Sequence, residues 1–139
     1  MEDCIFCKIV SGDIPSSKVY EDDDVLAFLD ITQATDGHTL VIPKKHVRNV
    51  LEMDEETAET VFSRVPKLAR AIKTAMGAQG LNIINNNEKA AGQTVFHAHI
   101  HLLPRYQEGD EFDFQFVQHE PDFAKLAELA KTIQKEVNK

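Results

Sequence analysis

Apolar and polar residues alternate most regularly between Thr94 and Arg105. In an extended chain Val95, His97, His99, His101 and Leu103 share one side, and Phe96, Ala98, Ile100, Leu102 and Pro104 share the other. The second set is wholly apolar and predicts a core-facing underside. The first sets three imidazoles in a row, neighbours about 7 Å apart along the strand. Shorter runs predict four further strands: Lys18 to Glu21, Val25 to Asp30, His38 to Ile42 and Leu81 to Asn85. The acidic turn Asp22-Asp23-Asp24 joins the first two. Pro43, which lacks a backbone donor, ends the third.

The period lengthens after Asp54. Ala58, Val61, Phe62, Val65, Leu68, Ala69, Ile72 and Met76 recur at helical spacing behind a first turn carrying Glu55 and Glu56. Pro66 falls inside this stripe and predicts a kink rather than an end, because the stripe continues in phase; Gly77 and Gly80 supply the stop. A second helix follows Asp122, with Phe123, Leu126, Ala127, Ala130, Ile133 and Val137 on one side. Between the last strand and that helix, Tyr106 to Glu120 has no period and carries Phe112, Phe114 and Phe116 among acids. Five strands and two helices predict an α+β domain built on a mostly antiparallel sheet.

With 139 residues and 42% hydrophobic positions, the chain can bury a continuous core as one domain. No run approaches the roughly 18 apolar residues of a membrane span, and the acidic start Met1-Glu2-Asp3 has no apolar signal core. A cytoplasmic location is expected. The net charge of −8 argues against nucleic-acid and anionic-membrane partners. The one basic cluster, Lys44-Lys45-His46-Val47-Arg48, reads as a solvated loop or as a local contribution to a phosphate site.

Cys4 and Cys7 are the only cysteines. A redox-active pair needs a strand ahead of it, for which position 4 leaves no room, and a reducing cytosol argues against a disulfide. Half of a zinc site, wanting two more ligands, is the better reading beside that of two buried thiols packed as small hydrophobes.

The run His97-Ala98-His99-Ile100-His101-Leu102-Leu103 resembles the His-x-His-x-His-x-x signature, x being apolar, of the histidine triad (HIT) family, and most resembles the bacterial members of its Hint-like branch. Leu26 to Asp30, Gly37 to His46 and Gly92-Gln93-Thr94 also fit. The resemblance spans about the first 110 residues of a single domain over 1–139, with a C-terminal extension and helix over about 111–139. It implies a five-stranded antiparallel sheet, a homodimer whose helix and edge strand join two protomers into ten strands, and a purine nucleotide or nucleotidyl conjugate as ligand. The helical stripe and the three phenylalanines are able to form such an interface, or to bury within one protomer.

An imidazole attacks phosphorus only through an unprotonated nitrogen, while an acceptor holds the proton on the other. Spacing does not choose between His99 and His101. The resemblance implies that the middle histidine, His99, becomes covalently nucleotidylated and that His101 donates to the phosphate or the leaving group. Thr94 stands where relatives often carry Ser, and keeps a hydroxyl for the leaving atom. Gly92 and Gln93 resemble a phosphate-cradling turn offering a close backbone and a side-chain amide. His38 matches a histidine that supports the triad by hydrogen bonding, and reads equally as a satisfied core histidine. Asp30 alone reads as a strand-end turn residue; the resemblance makes it a ribose ligand, with Ile31 against the base and Asn86 at the sugar and phosphate. Asn87 leaves that register open by one residue. The same resemblance completes a Cys4, Cys7, His46 and His97 set for a closed, structural zinc.

The leading function is therefore hydrolysis of a nucleoside phosphoramidate or related nucleotidyl conjugate. The alternatives are a dinucleoside polyphosphate hydrolase of the Fhit-like branch, and a zinc-stabilised nucleotide-binding or interaction module with vestigial turnover. The uridylyltransferase branch characteristically replaces the third histidine with Gln, whereas His101 is present here.

Overall fold

The computed structural model describes residues 3–107 and 109–139. Five strands form one antiparallel sheet: β1 Lys18–Glu21, β2 Val25–Leu29, β3 Thr39–Pro43, β4 Gly80–Ile84 and β5 Ile100–Arg105, in the order β1-β2-β3-β5-β4. The predicted α+β class and antiparallel sheet hold. Among the described residues, three α-helices rather than two accompany the sheet: α1 Ile5–Ser11, α2 Glu55–Met76 and α3 Phe123–Val137. Seven residues are too few to hold a helix alone. Tertiary burial of Phe6 and Ile9 holds α1, and their spacing of three was its only local signal.

Side chains alternate across a strand, so β2 and β3 each serve two cores. Val25, Ala27, Val41, Ile100 and Leu102 pack against Val61, Val65, Leu68 and Ile72 of α2. On the opposite face Leu26, Phe28, Leu40 and Ile42 pack against Phe6 and Ile9 of α1. Helix α2 starts where Asp54 accepts from the Thr57 amide at 2.7 Å and ends at Gly77, whose φ of 64° suits glycine. It runs unbroken through Pro66. Phe62 and Met76, assigned to its apolar stripe, remain 38% and 41% exposed.

The triad strand is shorter than the alternation predicts. Pairing of β3 with β5 extends only to Val41 opposite Ile100, and β3 soon reaches Pro43, which has no N–H to offer. Upstream of Ile100 the chain instead bonds to the segment after β3, with the Ala98 amide donating to the Val47 carbonyl at 2.8 Å. The two-sided pattern fails there. Phe96, expected beneath the strand, is exposed, whereas His97 and His99 are buried; Ile100, Leu102 and Pro104 keep their predicted burial.

Residues 109–122 carry no helix or strand, as their lack of period predicts. Beyond them α3 leaves its apolar side uncovered, with Phe123, Ile133 and Val137 exposed. No described helix is long and apolar enough to cross a membrane.

Candidate functional site

Cys4 caps α1, its sulfur accepting from the Cys7 amide at 3.3 Å, so the C-x-x-C pair wraps one helix start. His97 enters from the segment before β5 and His46 from the one after β3. The four donor atoms lie within 4.8 Å of one another. His97 Nδ1 is 3.4 Å from Cys4 Sγ and 3.6 Å from Cys7 Sγ, and His46 Nδ1 is 3.3 Å from Cys7 Sγ. Bonds of ordinary zinc length at the tetrahedral angle separate sulfur from nitrogen by about 3.6 Å. The donor set therefore fits zinc in chemistry and in size. His97 Nε2 donates to the Pro43 carbonyl at 2.8 Å, which leaves Nδ1 unprotonated toward the thiols. Burial pushes His97 down to about 4, so the ring is neutral at pH 7, whereas burial and the adjacent Cys4 push the Cys7 thiol up.

The other two triad histidines are ordered by different partners. His99 Nδ1 donates to the His97 carbonyl at 2.8 Å, which leaves Nε2 with a free lone pair. The Phe6 ring stands edge-on to His99, with centroids 5.1 Å apart. Burial lowers the pKa of His99 and keeps that lone pair unprotonated near neutrality. His38 Nδ1 accepts from the Ala34 amide at 3.2 Å, so its proton sits on Nε2, 2.9 Å from His101 Nδ1. His101 must then carry its own proton on Nε2. Burial lowers the pKa of His38 and pushes His101 down to about 4. Asp30, His38 and His101 also lie close enough to suggest a cation site. The Ala34 amide opposes it, because a metal on His38 Nε2 would move the ring proton to face that N–H.

Asp30 follows β2. Its Oδ1 accepts from the Thr32 amide and hydroxyl, both at 2.8 Å, while Oδ2 faces His38 Nε2 at 3.7 Å. Ile31 is 97% exposed beside it, at a cavity of about 470 Å³ that Pro15, Ser17, Leu29 and Gln33 also line. Asn87 is committed to the Val50 amide at 2.9 Å and to Asn85 at 2.6 Å. Asn86 has no side-chain hydrogen bond among the described residues and lies against Gly92, whose φ is 93°. Thr94 is exposed two residues further on.

One expectation needs correction. The Gln93 amide does not reach out to a phosphate. It is buried, with Oε1 accepting from the Glu88 amide at 2.8 Å and Asn49 Nδ2 at 3.1 Å, and Nε2 donating to the Arg48 and Val95 carbonyls at 2.8 and 3.0 Å. All four of its hydrogen-bonding positions are spent within the protein. The basic cluster lies in the loop after β3, as expected, with its cations paired within the chain. Lys44 pairs with Glu21 at 2.8 Å, Lys45 with Asp54 at 3.4 Å and Arg48 with Glu88 at 2.7 Å. Arg48 and then Asn49 hold the Glu88 carboxyl down to about 2. Sequence reasoning missed Asn49 and Glu88 altogether. Neither lies in a periodic pattern, and their side chains meet one another across 39 positions.

Residues 11–108 match the HIT domain. The chain belongs to the HIT family. Among relatives in this family, Protein hit of Bacillus subtilis is 57% identical over 122 residues, spanning 88% of this chain and 84% of its own. The adenosine 5'-monophosphoramidase hnt1 of Schizosaccharomyces pombe is 43% identical over 105 residues, 76% of either chain. A crystal structure from Streptococcus mutans, 70% identical, superposes with a TM-score of 0.95 over 99% of this chain and 87% of that one. A zinc-bound histidine triad family protein of Mycobacterium smegmatis is 39% identical, with a TM-score of 0.74 over 99% and 96% of the two chains. HIT relatives of this chain thus include nucleotide-acting hydrolases, and its described residues include a cluster able to hold a metal.

Proposed function

We propose that this HIT protein hydrolyses purine nucleoside phosphoramidates or related nucleotidyl conjugates through a covalent intermediate on His99. The order of protons across the triad carries this reading. His99 presents a bare Nε2, and His101 presents an Nε2–H, each fixed by a partner on its other nitrogen. The His99 lone pair attacks phosphorus, a bond from the ring to phosphorus forms, and the bond to the leaving amine breaks. The amine departs with the bonding pair and the proton that a zwitterionic phosphoramidate carries on nitrogen. His101 meanwhile hydrogen-bonds the phosphoryl oxygen on which charge develops. Water then attacks phosphorus, releases the nucleoside monophosphate and its own proton, and returns the electron pair to His99. Thr94 hydrogen-bonds the leaving atom, His38 keeps His101 in its tautomer, and Asn86 with the Gly92 backbone contacts the sugar and phosphate. The phosphoramidase named among the relatives supports this reaction class.

Asp30 binds the ribose hydroxyls, foremost through Oδ2, the oxygen that Thr32 does not engage, and Ile31 packs the base at the adjoining cavity. Losing a hydrogen bond to a charged group costs about 1.5–3 kcal/mol. Turnover should be compared on adenosine phosphoramidate, its deoxy analogue and a diadenosine polyphosphate. The wild type should prefer the first, and Asp30→Ala should weaken the ribonucleotide far more than the deoxy analogue. Preference for the diadenosine substrate would place the protein with the dinucleoside hydrolases. Equal losses on both sugars would assign Asp30 to its Thr32 turn alone.

Cys4, Cys7, His46 and His97 hold a structural zinc in this reading. Such a cation keeps both thiols ionised and ties α1 to the segment carrying the triad.

The protein also acts as a homodimer. Strand β4 lies at a sheet edge with Ile83 exposed, Phe62 and Met76 of α2 are uncovered, and α3 has no cover for its apolar side. Light scattering should give twice the 15.6 kDa chain mass; a monomer at assay concentration would refute the dimer.

A further inference from the structure

Among the described residues, Glu88 is the one non-glycine residue with positive φ, 75° with ψ 158°, a region that essentially only glycine occupies without strain. Two sets of bonds hold it there. Its carboxylate grips both arms of the Arg48 guanidinium, at 2.9 Å to Nε and 2.7 Å to Nη2, and accepts from Asn49 Nδ2 at 2.6 Å. Its backbone closes on the turn that follows: the amide donates to Gln93 Oε1 at 2.8 Å, and the carbonyl accepts from the Ala91 and Gln93 amides at 3.0 and 3.2 Å. Buried Gln93 returns the circuit to the Arg48 carbonyl at 2.8 Å. Arg48 is itself stacked over the Phe96 ring at 4.4 Å. The turn leading through Gly92 to Thr94 is thereby strapped to the segment whose Val47 carbonyl holds Ala98, next to His99.

We propose that the Glu88–Arg48 pair is a latch that positions the Gly92-Gln93-Thr94 turn for the ligand's phosphate. Both are positioning residues that touch no substrate, and the proposal rests on the nucleotide reading of the site. Glycine at position 88 would take this backbone conformation freely but would bring no anchor. Glutamate accepts the strain and supplies a bidentate one, which a lysine at position 48 could not match.

Three variants test the latch: Glu88→Gly, Arg48→Lys, and Glu88→Gly combined with Arg48→Ala. Glu88→Gly should melt close to the wild type, since relief of backbone strain offsets loss of a half-exposed ion pair. In nucleotide-free protein its Ala91, Gly92 and Gln93 amides should nevertheless exchange about tenfold faster, with kcat/KM for adenosine phosphoramidate down by about tenfold. Arg48→Lys should show the same pattern to a smaller degree. Arg48→Ala should cost nothing further once Glu88 is gone, because both changes break one circuit. Unchanged exchange of those amides in Glu88→Gly and Arg48→Lys would overturn the latch, as would losses that simply multiply in the double variant. Faster exchange in a protein whose wild type does not turn over the phosphoramidate would count against the nucleotide reading and leave the latch standing.

Discussion

His99→Ala is expected to abolish turnover while leaving nucleoside monophosphate binding largely intact. Removing a covalent nucleophile costs several orders of magnitude in rate, and its loss does not add simply to loss of a partner. The binding groups assigned to Asp30, Asn86 and the Gly92 turn do not depend on the His99 ring. His99 is buried against Phe6, so alanine also leaves a small void, and a melting curve should accompany the kinetics. His101→Ala should be milder, because that residue donates a hydrogen bond and forms no covalent bond. Rapid quenching of wild-type protein with labelled substrate, followed by peptide mapping, should find the nucleotide on His99. Label on His101, or near-normal turnover by His99→Ala, would overturn the assignment.

Loss of zinc should have the largest effect on stability. Structural zinc contributes on the order of 10 kcal/mol to small sites. Here it would bind the seven residues of α1, otherwise held through Phe6 and Ile9, to the segment carrying His97. Protein purified without chelator should contain one zinc per chain. Cys7→Ser should lose that metal, melt well below the wild type and fray α1. Turnover should fall as well, because the carbonyl that holds the His99 proton belongs to His97. Absence of zinc from the wild type, or full zinc content in Cys7→Ser, would refute the centre.

Much of the fold was legible along the chain. One alternating stretch, four shorter runs and two stretches of helical period marked the five strands and the two longer helices. The triad was legible as a motif, with Ile100 and Leu102 marking the core beneath it. Helix α1 was not, since seven residues hold barely two turns of pattern. Nor was the late start of β5, which follows from the missing donor at Pro43 on the neighbouring strand.

By itself the sequence determined which segments become strands and the two longer helices, and that the triad motif sits on a core layer marked by Ile100 and Leu102. Only the tertiary structure decided what each of the triad imidazoles is free to do. Ala34 and the His97 carbonyl set the protons of His38, His101 and His99; Gln93 turns inward, although its position in the motif pointed outward. The physical reason is distance along the chain. Periodicity records whether a side chain is buried, but Cys4 meets His97 across 93 positions and Arg48 meets Glu88 across 40, and no local pattern specifies which donor finds which acceptor.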